Sequence, residues 1–148
     1  MTTIHFSYQA LLKGVFFRLE YISGKGASDA REYFRIAACN ADSELIDSLL
    51  RETLASLCAK SESFFHSFTI VDDRVEVCLT DTGNKSGCTA TEALLECAII
   101  YGVIFRWLEF CGHPDSGVWS EHADYTLGSL LSAMRFRGKL FRRPNPPM

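Results

Sequence analysis

The segment from Thr89 to Gly112 constrains the fold more than any other part of this chain. Thr89 and Glu92 have the spacing of a capping box, and Gly112 with Pro114 just beyond it is a typical helix end. The helix between these signals is apolar on nearly every side, so it must be surrounded by protein. Its longest run without a charge, residues 97–105, is far shorter than the ~18 residues of a membrane span. We therefore predict a central core helix.

Two further helices are predicted before it. Residues 4–22 place apolar side chains at helical spacing, although the β-branched and aromatic content of residues 15–22 leaves a strand as the alternative. Asp42 is a plausible N-cap for a second helix over residues 42–60, which has an amphipathic pattern. The apolar face of this second helix consists of Ile46, Leu49, Leu50, Thr53, Leu54 and Leu57.

The remaining elements are a hairpin and a last helix. His66–Val71 and Arg74–Thr80 are β-rich runs separated by two aspartates, which indicates a tight turn. Ser120 is a plausible cap for a final helix that reaches about Met134. Together the elements predict an α+β, mainly α fold, a helical bundle of about four helices with one β-hairpin.

The charge distribution divides the chain. A length of 148 residues fits one domain, and the formal net charge is −3. No acidic residue follows Asp124, and five cations follow Met134. Removing these five from the total leaves −8 for residues 1–134. We predict a single globular domain over 1–134 and a basic, proline-ended arm over 135–148.

The N-terminal residues and the cysteines predict a reducing compartment. The first residues lack the basic and apolar regions of a secretory signal. The six cysteines are then free thiols, and the chain is expected in the cytoplasm.

The nearest approach to a catalytic or metal-binding motif is formed by Cys111, His113 and His122, to which Asp115 or Glu121 could add a carboxylate. Cys-x-x-Cys and His-Glu-x-x-His are both missing from the sequence. A helix end followed by a polar loop would produce the same residues. We therefore expect no catalytic residue, no metal and no cofactor, and leave a cysteine- or metal-dependent enzyme as a minor alternative.

Aromatic and basic residues predict interfaces. The aromatic side chains exceed what a small helical core requires, and aromatic residues dominate interface energetics. The arm could neutralise nucleic-acid phosphates, or it could lie on the acidic surface of the next copy of the chain. We favour self-association, with these interface candidates: Trp107, Phe110, Trp119, Arg135, Arg137, Phe141, Arg142 and Arg143.

Three short patterns carry a family resemblance. Tyr33-Phe34-Arg35 precedes the helix at 42–60, Tyr101 precedes Trp107-Leu108, and Arg-Arg-Pro-x-Pro begins at Arg142. This order resembles small structural proteins of tailed phages and prophages, of the head–tail connector or neck kind. The N-terminal helix is longer than in that pattern, and the hairpin is additional.

The resemblance implies a non-enzymatic virion assembly protein that forms rings of identical subunits. Its partners would be further copies of itself and other virion proteins, with no membrane association, and its final location would be the virion. The alternative is a small nucleic-acid-binding protein that uses the basic arm.

Overall fold

The computed structural model describes residues 2–25, 43–80 and 88–141. The elements follow the order β-α-α-β-β-α-α: β1 Thr2–Ser7, α1 Tyr8–Lys25, α2 Ser43–Lys60, β2 Phe65–Val71, β3 Arg74–Leu79, α3 Cys88–Cys111 and α4 Ser116–Phe141. The predicted mainly helical α+β class is confirmed, since the described residues form four helices and one small three-stranded sheet.

The sheet contains the predicted hairpin and one additional strand. Its order is β1-β3-β2, and both pairings are antiparallel. The tight turn is Asp72-Asp73, and Asp72 has a left-handed φ of 54°, which aspartate tolerates better than most residues. The buried face of the sheet packs against the helices through alternate residues, among them Ile4, Val75 and Val77.

The prediction for the N-terminus was wrong in its first residues. Thr2–Ser7 is a strand, and Ile4 lies opposite Val77 in the register with β3. The alternative of a strand over 15–22 was also wrong, because those residues lie within α1. The apolar positions of these first residues fit both helical and strand spacing. Pairing with β3 makes them a strand.

The hairpin turn caps α1. The Tyr8 N–H donates to the Asp73 carbonyl oxygen at 2.8 Å, and the Gln9 N–H donates to Asp73 Oδ1 at 2.9 Å. Ser7 Oγ accepts the Ala10 N–H at 3.3 Å and donates to Asp73 Oδ2 at 3.2 Å. The N–H groups of the first helical turn therefore have partners, and the turn fixes where α1 leaves the sheet.

The central helix is α3, as predicted. It packs against α1, α2 and α4, and its core residues are buried. It begins at Cys88, one residue before the predicted cap. At its other end Gly112 has a φ of 71°, and the His113 N–H donates to the Leu108 carbonyl at 2.8 Å. The Gly112 N–H donates to the Glu109 carbonyl at 3.0 Å, which completes a Schellman motif.

The sequence predicted helix α2 more accurately than helix α4. All six residues of the predicted α2 face are buried, whereas Asp42 lies outside the described residues. The predicted start of α4 after Ser120 was wrong, since the helix begins at Ser116, whose N–H donates to the His113 carbonyl at 3.2 Å. The helix continues to Phe141, so its backbone enters the segment predicted as the arm. The division into domain and arm stays a prediction.

A partly buried hydrogen bond joins the start of α1 to α2 and predicts a pH dependence. The Tyr8 hydroxyl donates to Asp47 Oδ1 at 2.9 Å, and Asp47 also pairs with Arg51 at 2.9 Å. Burial, followed by the hydrogen bond and negative charge of Asp47, raises the pKa of Tyr8 from 10.0 to about 12. The protonated phenol is thus favoured in the folded state, and its contribution is complete below about pH 10 and lost as the pH rises towards 12.

We expect denaturant unfolding curves to show falling stability over that range. Tyr8→Phe should make the decline shallower, because phenylalanine has no proton to lose. Wild-type and Tyr8→Phe proteins with equal pH dependence would contradict this assignment.

Candidate interaction surfaces

The structure places His113 and His122, the two histidines of the enzyme alternative, in different surroundings. His113 is buried after the end of α3, and its Nδ1 accepts the Asp115 N–H at 3.0 Å. His122 lies on α4 against Trp119, with ring centroids 5.4 Å apart. Cys111 is half-buried and packs against the core. Within the described ranges, no group of three His, Cys, Asp or Glu residues is arranged to hold a metal ion.

The predicted interface residues fall into four groups. Trp107 is 2% exposed and belongs to the core, so its assignment to an interface is corrected. Phe110 is 66% exposed at the end of α3, and Trp119 is half-buried on α4. The backbone of α4 includes three further candidates, whose side chains the structure does not describe: Arg135, Arg137 and Phe141. Arg142 and Arg143 lie outside the described residues.

An aromatic surface crosses α1, α3 and α4, and we define it by Arg18, Tyr101, Trp119 and His122. The Arg18 guanidinium carbon lies 5.6 Å from the centroid of the Tyr101 ring. Tyr101 meets Trp119 edge-on at 5.7 Å, and His122 completes the cluster 6.3 Å from Tyr101. These cation–π and edge-to-face contacts hold the rings in fixed orientations at the surface.

Exposed apolar side chains flank the aromatic surface on both outer helices. Phe17 and Tyr21 are one helical turn apart on α1, and Phe17 is 71% exposed. Val118 and Tyr125 are about two turns apart on α4, and Tyr125 is 79% exposed. Among the residues of this region, only Trp119 was predicted as an interface residue. The available signal was the position of Phe17 and Tyr125 outside the apolar faces of their helices.

A cleft of about 190 Å³ lies between α2, α3 and α4. Arg106 and Lys60 line it, together with serine hydroxyls and apolar side chains. Arg106 Nε is 3.5 Å from a Glu52 carboxylate oxygen, and Lys60 Nζ is 3.9 Å from Asp124 Oδ1. Both cations thus have carboxylate partners within the chain.

A second depression, of about 240 Å³, lies where β1 and the start of α1 meet α3. We call it the β1 groove. Its apolar part is formed by Phe6, Ala10 and Leu11, and its polar wall carries Glu92 and Glu96. Neither glutamate has an ion-pair partner among the described residues. The groove therefore combines apolar side chains with two carboxylates.

Comparisons with known proteins add no identification. No protein-family model matches the chain, and neither the curated proteins nor the solved structures contain a significant match. Among the described helices, none is both long and apolar enough to cross a membrane. A functional assignment must therefore come from the residues and their arrangement.

Proposed function

We propose that this chain is a non-enzymatic assembly protein that acts through contacts with further copies of itself and with other virion proteins. The observation that carries the proposal is the aromatic surface with its exposed apolar flanks. Within the assembly class, the sequence resemblance favours a head–tail connector, neck or tail component of a tailed phage or prophage.

The composition of the aromatic surface suits a protein interface. Tyrosine, tryptophan and arginine are the residues most enriched among interface hot spots. Tyr101 and Trp119 are held by their neighbours, so binding would cost little side-chain entropy. The flanking residues Phe17 and Tyr125 keep most of their surface in water in the isolated chain. Covering them would gain about 25 cal/mol for each Å² of apolar area removed from water.

The nucleic-acid alternative depends on the arm. The relevant side chains of residues 135–148 lie outside the described part of the chain, so this alternative stays a prediction. Binding that weakens steeply as salt rises would support it.

The proposal predicts that Tyr125→Ser weakens self-association by about tenfold or more. Tyr125 is an exposed hot-spot residue type, and its removal should change stability by less than about 0.5 kcal/mol. Sedimentation velocity over a concentration series measures the effect. Val71→Ser is the matched control, since Val71 is an exposed apolar residue on the hairpin, away from the aromatic surface.

If Tyr125→Ser and Val71→Ser both associate as strongly as the wild type, the aromatic surface is not the interface. A control that loses association as much as Tyr125→Ser would also contradict the assignment, because the effect would then be unspecific.

A further inference from the structure

The β1 groove is a second candidate binding surface among the described residues. β1 is at the outside of the sheet order and pairs only with β3 among the described residues. An edge strand presents unpaired backbone groups on its outer side. His5, Phe6 and Ser7 of this strand line the groove, so the open edge and the groove form one surface.

The two glutamates of the groove favour a cationic occupant. Glu92 and Glu96 are one turn apart on α3, and like charges at this spacing repel each other. Glu96 is half-buried and has no cationic partner among the described residues. The helix dipole favours a negative charge such as that of Glu92 near the helix N-terminus. It stabilises Glu96 less, because Glu96 lies one turn further along the helix. The third titratable group that lines the groove is His5, whose Nδ1 lies 3.3 Å from Glu76 Oε1.

The chain itself contains a segment with the complementary chemistry. Residues 142–148 read RRPNPPM, with two adjacent arginines and three prolines. Arginine forms bidentate hydrogen bonds with carboxylates, and proline-rich segments bind apolar grooves at a low entropic cost. The segment spans at most ~25 Å, enough to reach along the groove.

The position of α4 favours a neighbouring copy as the source of this segment. Phe105 of α3 lines the cleft that α4 helps to form. Glu96 and Phe105 are roughly two and a half turns apart and therefore lie on opposite sides of α3. At this contact, α4 thus packs on the side of α3 that faces away from the β1 groove.

We propose that the β1 groove binds residues 142–148 of a neighbouring copy, with Arg142 and Arg143 pairing with Glu92 and Glu96. This inference rests on the proposed function and names the segment and the surface that make one subunit contact. The donor segment and the receiving groove are different surfaces, so the contact is heterologous. Repetition of such a contact closes a ring or extends a filament.

Charge reversal tests the pairing in the full-length protein. We expect Glu92→Lys/Glu96→Lys to weaken self-association about 10- to 100-fold, and Arg142→Glu/Arg143→Glu to do the same. Combining all four substitutions in one chain should restore most of it. Glu62→Lys/Glu109→Lys is the matched control, because it makes the same charge change at two exposed positions outside the groove. Glu92→Gln/Glu96→Gln provides a milder variant if the lysine substitutions impair folding.

An equimolar mixture of the two reversed variants gives the decisive result. In the mixture the arginine segment of one variant matches the glutamate groove of the other, and the glutamate segment matches the lysine groove, so light scattering should detect mixed oligomers larger than those of either variant alone. No mixed oligomer, or reversed variants that associate like the wild type, would overturn the inference while leaving assembly through the aromatic surface intact. A wild-type protein that stays monomeric would instead overturn the proposed function as well.

Discussion

Trp107→Ala is expected to lower the free energy of unfolding by about 3–5 kcal/mol. Trp107 is among the largest fully buried side chains, at 2% exposure, and it lies on α3, the helix around which the others pack. Removing the indole leaves a cavity that the neighbouring helices can only partly fill. Urea unfolding followed by circular dichroism measures the loss.

Phe110→Ala is the control on the same helix. Phe110 is 66% exposed, and the centroid of its ring lies 6.0 Å from that of the Trp107 ring. We expect its removal to cost about 1 kcal/mol or less. Comparable losses in the two variants would contradict the placement of Trp107 in the core and Phe110 at the surface.

The second large effect is expected for Gly102→Ala, which should destabilise the protein by about 1–3 kcal/mol even though alanine is the better helix former. A Cβ at position 102 would lie 2.6 Å from Thr53 Cγ2 on α2. Thr53 is buried and β-branched, and its hydroxyl donates to the Leu49 carbonyl at 2.7 Å. It cannot rotate away without breaking this hydrogen bond, so the two helices must separate.

Gly128→Ala makes the same change on α4, where a Cβ would meet nothing within 4 Å. There we expect a gain of up to about 1 kcal/mol from helix propensity. Thermal unfolding of the two variants beside the wild type gives the comparison. A stabilising Gly102→Ala would show that α2 and α3 do not approach as closely as described.

The elements predictable from sequence were those whose signals are local. The α2 face from Ile46 to Leu57 repeats at helical spacing over several turns, and all of it is buried. Gly112 requires the left-handed conformation that ends α3, and the Asp72-Asp73 pair separates two clear β runs. Each of these signals is complete within a few residues, so no knowledge of the tertiary structure was needed.

The elements missed were those that depend on distant partners. Thr2–Ser7 is a strand because β3, far along the chain, supplies its pairing. The position of Trp107 was not predictable because α3 is apolar on nearly every side. Periodicity therefore could not show which of its aromatic residues faces outward. The start of α4 at Ser116 depends on the buried His113 and its carbonyl.

The candidate surfaces were only partly predictable, for the same reason. Trp119 was identified as a surface aromatic, but its contact with Tyr101 and the position of Arg18 depend on how α1 and α4 pack against α3. The β1 groove joins Phe6 to Glu92 and Glu96, which no local pattern connects. Surfaces that form between elements become visible only after the elements are packed.

Self-assembly of this chain is tested most directly by the molar mass of the wild-type protein, measured by size-exclusion chromatography with light scattering over a range of concentrations. We expect a defined oligomer whose mass is a multiple of the 16.6 kDa chain. Electron microscopy of that fraction should show closed rings or short filaments. A mass of 16.6 kDa at every concentration would contradict the proposal that this chain acts by assembling with copies of itself.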